Sequence, residues 1–434
     1  MEYSLDEITD FLNGGAWSEN EYVQEGIHVV KVSNLIDGSV ERKEDDHYLP
    51  ESKSVTYAKH RLQEFDVVVA TVGSHPTNQG SVVGRTSLVP KEFDGSFLNQ
   101  NAVCLRSKDT EILDQRFLYY LTKTVLFKHH IESRARGSAN QVRMALGELK
   151  KFRFDYPAIE VQRKVVALLG ATDAFAAVNE RRIRVLQSVA EQIYREWFVR
   201  LRFPGAATTS LKDGIPVGWN GVPLREVADV NSTSIGKHNR PNEIRYVDIG
   251  SVTTNRMKAP DEIAFKDAPG RARRIVQHGD IIWSSVRPGN RAYCLLYEPA
   301  KNMVASTGFA VIRPKKGMPF SFLHQAVTTE AFVDEMVLVA KGAAYPATSF
   351  DDFERALILL PTVELLKQYH ESCSPLYRMQ HELNKQNLKL IGLRELMFDR
   401  LMSGRIDLGN LNIRLLSEVE EDAPTNFCEE LAHA

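Results

Sequence analysis

Two textures of apolar residues alternate along the chain. Short runs rich in Val, Ile and aromatic residues occur at 29–32 (VVKV), 66–72 (DVVVATV) and 102–106 (AVCLR), then at 245–249 (RYVDI), 280–286 (DIIWSSV) and 309–313 (FAVIR). Gly, Pro, Asn and Ser separate them, which predicts strands joined by turns. Helical patterns follow at 115–130 and 319–340. From Ala158 to about Val199, and from Thr362 to about Met402, breakers are few and Leu, Ala, Glu, Gln, Lys and Arg dominate. These stretches predict two long helices, each entered just after a proline (Pro157, Pro361), which suits a helix start. In the first, Ile183, Leu186, Ala190, Ile193 and Trp197 step by 3, 4, 3, 4; in the second, Leu383, Leu390, Leu393, Met397 and Leu401 step by 7, 3, 4, 4. Such spacing makes a heptad seam. Gly170 and Pro375 are the candidate kinks. Forty helical residues span on the order of 60 Å, so each seam can be buried on the other, or each helix on its own globular unit.

The same texture is written twice. Leu5-Asp6-Glu7-Ile8 resembles Leu224-Arg225-Glu226-Val227, 219 positions on. Asp66 opens a run matched by that after Asp280, at 214; Ala102–Arg106 is matched by Phe309–Arg313, at 207; and Tyr156-Pro157 by Leu360-Pro361, at 204. The offset falls steadily, as two copies of one unit with unequal loops require. Each copy is a mixed α/β (α+β) unit followed by its long helix. The boundaries expected are 1–156 and 212–360 for the globular units, 157–205 and 361–405 for the helices, and 406–434 for an acidic tail.

With 54 Lys plus Arg against 56 Asp plus Glu in 434 residues, the net charge of -2 excludes a uniformly basic coat for nucleic acid but leaves room for local basic faces. Four scattered cysteines, Cys104, Cys294, Cys373 and Cys428, form neither a disulfide framework nor a zinc pattern. The start, MEYSLDEITD, lacks a secretion signal, and no apolar run is long enough for a membrane span, so a cytoplasmic protein is expected. Catalytic motifs are also missing: no P-loop, no Asn/Asp-Pro-Pro-aromatic tetrapeptide, no G-x-S-x-G. Glu148-Leu149-Lys150 has the E-x-K form of a nuclease end without an evident partner carboxylate, and His129-His130 reads as a solvated basic face beside Lys128 and Arg134.

Taken together, the chain resembles the specificity subunit of type I restriction-modification systems. The resemblance is carried by PVGW at 216–219 with PLREVADV, DIIWSSVRPGN at 280–290, VASTGFAVIRP at 304–314 and ALILLPTVELLKQ at 356–368. Weaker first-copy counterparts are DVVVATVGS at 66–74, FLNQNAVCLRS at 97–107 and the segment 137–164. Two departures stand out: the first copy lacks the Pro-x-Gly-Trp entrance, and Ser417–Ala434 adds six acidic residues with no Lys or Arg. The resemblance implies two target-recognition domains, whose long helices pair as an antiparallel coiled coil with pseudo-twofold symmetry. It implies a non-catalytic reader of a bipartite, asymmetric double-stranded DNA site. The helices would fix the gap and dock two modification (methyltransferase) subunits, and motor-nuclease restriction subunits would complete the complex. S-adenosylmethionine, ATP and Mg²⁺ would belong to those partners, leaving this chain without cofactor or metal.

Local charge fits that role. Between Lys123 and Arg153 there are eight Lys/Arg against two Glu, and between Lys266 and Arg291 six against two Asp. Phosphate contacts supply affinity, and paired donors and acceptors read bases, Arg on guanine and Asn or Gln on adenine. The candidate readers sit on loops: Ser74, His75, Thr77, Asn78 and Gln79; Asn99, Gln100 and Asn101; Arg134, Arg136, Ser138, Asn140 and Gln141. In the second copy they are Arg271, Arg273, Arg274, Arg287, Asn290, Arg291, Lys341 and Tyr345. Ordinary polar turns, a pure assembly scaffold and a nuclease using Glu148 and Lys150 remain the alternatives.

Overall fold

The computed structural model describes residues 2–36, 38–43, 45–73, 82–138, 141–236, 238–343 and 345–409, without the side chains of Ser138 and Gln141. Of the expected acidic tail 406–434, the first residues pack on the first unit's core, with Leu408 buried, and the part from residue 410 lies outside the described residues. Six helices frame the two units: α1 (Gln115–Lys123), α2 (Val125–Arg134), α3 (Ile159–Tyr194), α4 (Phe320–Ala326), α5 (Glu330–Val339) and α6 (Val363–Met402). The chain divides into two compact units, Met1–Phe175 with the stretch from Lys389 onward, and Ala176–Leu388.

In the first unit the central sheet has the order Thr9–Asn13, Ala102–Ser107, Val67–Ala70, Thr86–Leu88, Gly38–Ser39. In the second it is Ala228–Val230, Phe309–Pro314, Ile281–Ser284, Tyr293–Leu295. The duplication holds to the residue. Cys104 faces Val68 in the first copy and Val311 faces Ile282 in the second, which are the same register at the sequence offsets 207 and 214. Both central strands are buried on both faces, so a slip by one residue would move every side chain into the core packed for its neighbour.

A buried carboxylate paired with a half-buried arginine locks the same point of each sheet. Asp66 accepts from Arg106 Nε at 2.8 Å and Nη2 at 2.6 Å, and Asp280 accepts from Arg313 Nε at 2.9 Å and Nη2 at 2.7 Å. Each carboxylate also takes the backbone N–H three residues earlier, Gln63 at 2.7 Å and Gln277 at 2.8 Å, closing the turn into the strand.

Both predicted helical stretches are broken in the middle, and by the same device. Thr124 accepts from the Phe127 N–H and Thr329 from the Phe332 N–H, each starting a new helix with its hydroxyl as N-cap. One expectation is corrected here. His130 is not on a solvated face but buried, its Nε2 2.7 Å from the Glu148 carbonyl oxygen, and burial pulls its pKa down.

The long helices run through both candidate kink positions, α3 through Gly170 and α6 through Pro375. In the first unit they meet where Arg394 pairs with Asp173 at 2.9 Å, and the Tyr120 hydroxyl of α1 donates to the same carboxylate at 2.9 Å. In the second, Asn179 donates to Asn387 at 3.0 Å and Tyr369 reaches the Ala190 carbonyl, so numbers rise on one helix as they fall on the other. That is antiparallel pairing. Ile183 and Leu383 are buried in the second unit and Leu401 in the first, while Leu186, Ile193, Trp197, Leu390 and Met397 are half-buried. Leu393 departs from the expected seam and is 49% exposed. The register is Leu383, Asn387, Leu390, Arg394, Met397, Leu401, an unbroken 4, 3, 4, 3, 4 with polar residues at two steps.

Candidate nucleic-acid interface

Each unit presents one construction at the end of its central strand. In the first, Thr71 follows the strand Val67–Ala70. Its N–H and hydroxyl both donate to the Asn101 carbonyl, at 2.9 and 3.0 Å, and its own carbonyl accepts from the Met144 N–H at 2.9 Å. In the second, the Ser285 N–H and hydroxyl donate to the Gly308 carbonyl, at 2.9 and 2.8 Å, and its carbonyl accepts from the Thr348 N–H at 2.8 Å. A hydroxyl residue thus gathers three segments into one knot in both copies. Thr71 and Ser285 were not among the predicted site residues. The signal was available, since a Thr and a Ser occupy the same position 214 apart, but single hydroxyls are too common to read alone.

Around Thr71 the knot joins three of the predicted loops. The first leaves the strand Val72–Gly73; its candidates Ser74, His75, Thr77, Asn78 and Gln79 lie outside the described residues, as does Asn140. The second is Asn99–Asn101, with Gln100 exposed and the Asn99 side-chain oxygen accepting from the Asn101 N–H. Gly14 packs so tightly on this turn that a Cβ there would come within 1.9 Å of the Asn99 carbonyl oxygen. The third is the hairpin of Arg136–Ser138 and Gln141–Arg143, whose inner strand pairs with Val72–Gly73. Ser138 and Gln141 are placed there by their backbone.

This hairpin sets Arg136 directly opposite Arg143, both exposed. Like charges facing each other across strands repel, and a bound phosphate between them would relieve that repulsion. Arg134, by contrast, is engaged by Glu148 at 3.5 Å. Glu148 also pairs with Lys151 at 2.7 Å, while Lys150 pairs with Asp6 at 2.8 Å, so the two ends of the E-x-K tripeptide are held by different partners.

Around Ser285 the equivalent hairpin is Lys341 to Ala347, where Lys341 and Val286 both bridge to Ala347. The turn Arg287–Arg291 packs beside it. Arg287 is in the left-handed region with φ 49°, its N–H donates to the Pro346 carbonyl at 2.7 Å, and its guanidinium lies 4.7 Å over the Tyr345 ring. Arg287, Pro288, Gly289 and Asn290 form one wall of a cleft whose other wall is Val337, Ala340 and Pro346. Asn290, Lys341 and Tyr345 are exposed at this end of the unit. Arg291 is held in a two-pronged ion pair with Glu330, one arm 2.7 Å long, and so shapes the turn.

The remaining arginines are held elsewhere. Arg271 pairs with Asp248 at 2.7 Å and donates to Tyr246, and Arg273 lies 5.3 Å over Phe265. Arg274 lies 5.1 Å over Phe350 and donates to Ser234, and burial lowers its pKa. All three sit on or beside the strand Ala272–Ile275 of the second unit's other sheet, not in the knot. Among the described residues no helix is long and apolar enough to cross a membrane.

Comparison with known proteins meets this construction. The family described as type I restriction modification DNA specificity domain matches residues 1–188. The HindI specificity subunit of Haemophilus influenzae is 27% identical over 163 residues, 36% of this chain and 35% of that one. The MjaIX specificity subunit of Methanocaldococcus jannaschii is 22% identical over 315 residues, 68% of this chain and 70% of its own. The match thus spans about a third of one curated relative and somewhat more than two thirds of the other. The crystal structure of the S subunit from M. genitalium shares the fold, with a TM-score of 0.55 at 14% identity, covering 92% of this chain and 95% of that one. Residues 1–188 match that family's DNA specificity domain, and with its duplicated α/β units and long helices the chain is similar to type I restriction-modification specificity subunits.

Proposed function

We propose that the chain reads a bipartite, asymmetric sequence in double-stranded DNA and carries no chemistry of its own. It directs adenine methylation or restriction by partner subunits inside the cell. The observation that supports this best is the repeated knot: the same hydrogen bonds, at Thr71 and at Ser285, present a different set of exposed polar side chains in each copy. Residues 1–156 and 212–360 are the two recognition domains, and 157–205 and 361–405 are the spacer helices. Residues 406–434 are an acidic tail. Two modification subunits and the motor-nuclease subunits are the partners, and S-adenosylmethionine, ATP and Mg²⁺ are bound by them. Exposed apolar side chains on the long helices, Val178, Val185 and Val189 in one unit and Phe175, Ile391 and Leu396 in the other, are suited to docking helices of the modification subunits. A map of methylated adenines in the host with the gene intact and deleted tests the reading. Loss of a two-part motif with a fixed gap supports it; DNA binding absent from the reconstituted complex would leave an assembly scaffold.

Two variants resolve the parts. Arg287→Ala should reduce affinity by about 1–3 kcal/mol at a single guanine of the second half-site. An equal loss on every sequence, with a smaller salt slope, would make Arg287 a phosphate contact instead. One extra heptad inserted in register in both long helices adds about 10 Å of rise. It should lengthen the gap by about three base pairs at roughly 3.4 Å each, with both half-sites unchanged. Altered half-sites at a constant gap would sink the ruler.

A further inference from the structure

The second reading turn is not fastened only to its own sheet. The hairpin Val252–Thr253 and Arg256–Met257 has its tip at Thr254-Asn255, and that tip touches the turn and α3 directly and α6 through His324. On the turn's side, the Thr254 hydroxyl donates to the Arg291 carbonyl at 3.0 Å and the Asn255 N–H to the Tyr293 carbonyl at 2.8 Å. On the α3 side, Gln187 donates to the Asn255 carbonyl at 3.3 Å, and Arg256 pairs with Glu180 at 2.8 Å. Glu180 in turn accepts from Asn387 of α6.

The Asn255 side chain makes the third connection. Its oxygen lies 2.9 Å from Nε2 of His324 on α4, and Nδ1 of His324 lies 3.0 Å from the hydroxyl of Tyr377 on α6. An amide oxygen can only accept, so Nε2 carries the proton and Nδ1 accepts from Tyr377. His324 is buried among these groups and has both ring nitrogens committed. Asn255 itself is held at φ 54°, a backbone state that costs most side chains but that Asn tolerates.

We propose that Asn255 is a positioning residue that locks the second reading turn to the long-helix pair and so holds the gap between half-sites to one length. Its three polar groups each serve a different body: the N–H the turn's strand, the carbonyl α3, and the side chain, through His324, α6. With these bonds made, the turn cannot tilt against the helices without leaving buried polar groups unpaired. This rests on the proposed bipartite reading.

Asn255→Gly is the incisive variant, because glycine keeps the positive φ and both backbone bonds while removing only the acceptor for His324. Asn255→Asp restores an acceptor. Gln187→Ala removes the bond from α3 to the Asn255 carbonyl independently, should Asn255→Gly fold poorly. Each chain, assembled with its modification subunits, is assayed for adenine methylation on duplexes carrying both half-sites with gaps varied by one and two base pairs. The wild-type complex should favour one gap. Asn255→Gly and Gln187→Ala should keep both half-site sequences but lose at least tenfold of that preference, and Asn255→Asp should recover it. Unchanged gap preference in both Asn255→Gly and Gln187→Ala overturns the proposal, whatever their melting temperatures. A wild-type complex that methylates no two-part site removes the underlying reading as well, and a wild-type complex indifferent to the gap removes only the lock.

Discussion

Asp280→Ala should destabilise the second unit by about 3–5 kcal/mol, the loss expected when one partner of a buried pair is removed and the other stays. Asp280 is wholly buried, and the Arg313 side chain is 15% exposed. Removing the carboxylate strips Arg313 of two hydrogen bonds and the Gln277 N–H of its acceptor in one step. What remains for the guanidinium is Thr233 at 2.8 Å and the Ile275 carbonyl at 3.2 Å, neither of which carries charge. Three of the four tryptophans, Trp197, Trp219 and Trp283, belong to this unit, so urea unfolding followed by tryptophan fluorescence reads it preferentially. Asp66→Ala should do the same to the first unit, releasing Arg106, and there Trp17 is the reporter. A control replaces both partners, Asp280→Leu with Arg313→Met, and should recover most of the loss because no lone charge stays buried. A single Asp280→Ala within about 1 kcal/mol of wild type would show that this pair is not a lock.

Much of this architecture is legible in the residues, for reasons that differ by element. The central strands stand out because a buried strand is continuously apolar and because Asp at its start and Arg on its neighbour recur at fixed offsets. The long helices stand out because some forty residues with few breakers, chiefly Gly170 and Pro375, leave few other choices. What escapes is what depends on distant partners. His130 sits beside Lys128 and reads as polar surface, yet the helix Leu146–Lys150 folds over it. Leu393 reads as seam because a search for apolar residues passes over Asn387 and Arg394, which hold the true positions through Asn179 and Asp173. The candidate readers separate in the same way. Arg287, Asn290, Lys341 and Tyr345 lie together at the Ser285 knot. Arg271 and Arg291 are equally basic in sequence but are occupied by Asp248 and Glu330. Sequence marks where positive charge is; only the fold shows which of it is already paired.

Acid should unfold the second unit partly through one imidazole. His324 is buried against Asn255, Tyr377 and the body of α4, and its pKa is pushed down to about 4 by desolvation. In the unfolded chain it returns to about 6.5. A depressed histidine pKa means that the unfolded state binds the proton first, so stability is full above pH 6.5 and is lost as the pH falls towards 4. Over that window the loss is on the order of 3 kcal/mol from this residue alone. The structural reason is plain: protonation places a second N–H at Nδ1, where Tyr377 now donates, and the hydroxyl must turn to the Ser321 carbonyl at 3.5 Å. Other partly buried histidines of this unit, His370 and His381, also have lowered pKa values, so the wild-type slope is a sum. His324→Gln isolates the one term. A glutamine amide can still donate towards Asn255 but does not titrate, and it forgoes the acceptor for Tyr377 at a cost of about 1 kcal/mol. The variant should therefore be the less stable protein at pH 7.5 and the more stable one at pH 4.5, the two curves crossing between about pH 5 and 6. Melting temperatures measured across that range decide it. Parallel curves at every pH would mean that His324 takes up its proton in the folded unit as readily as in the unfolded chain, and that the Asn255–His324–Tyr377 chain is open to water.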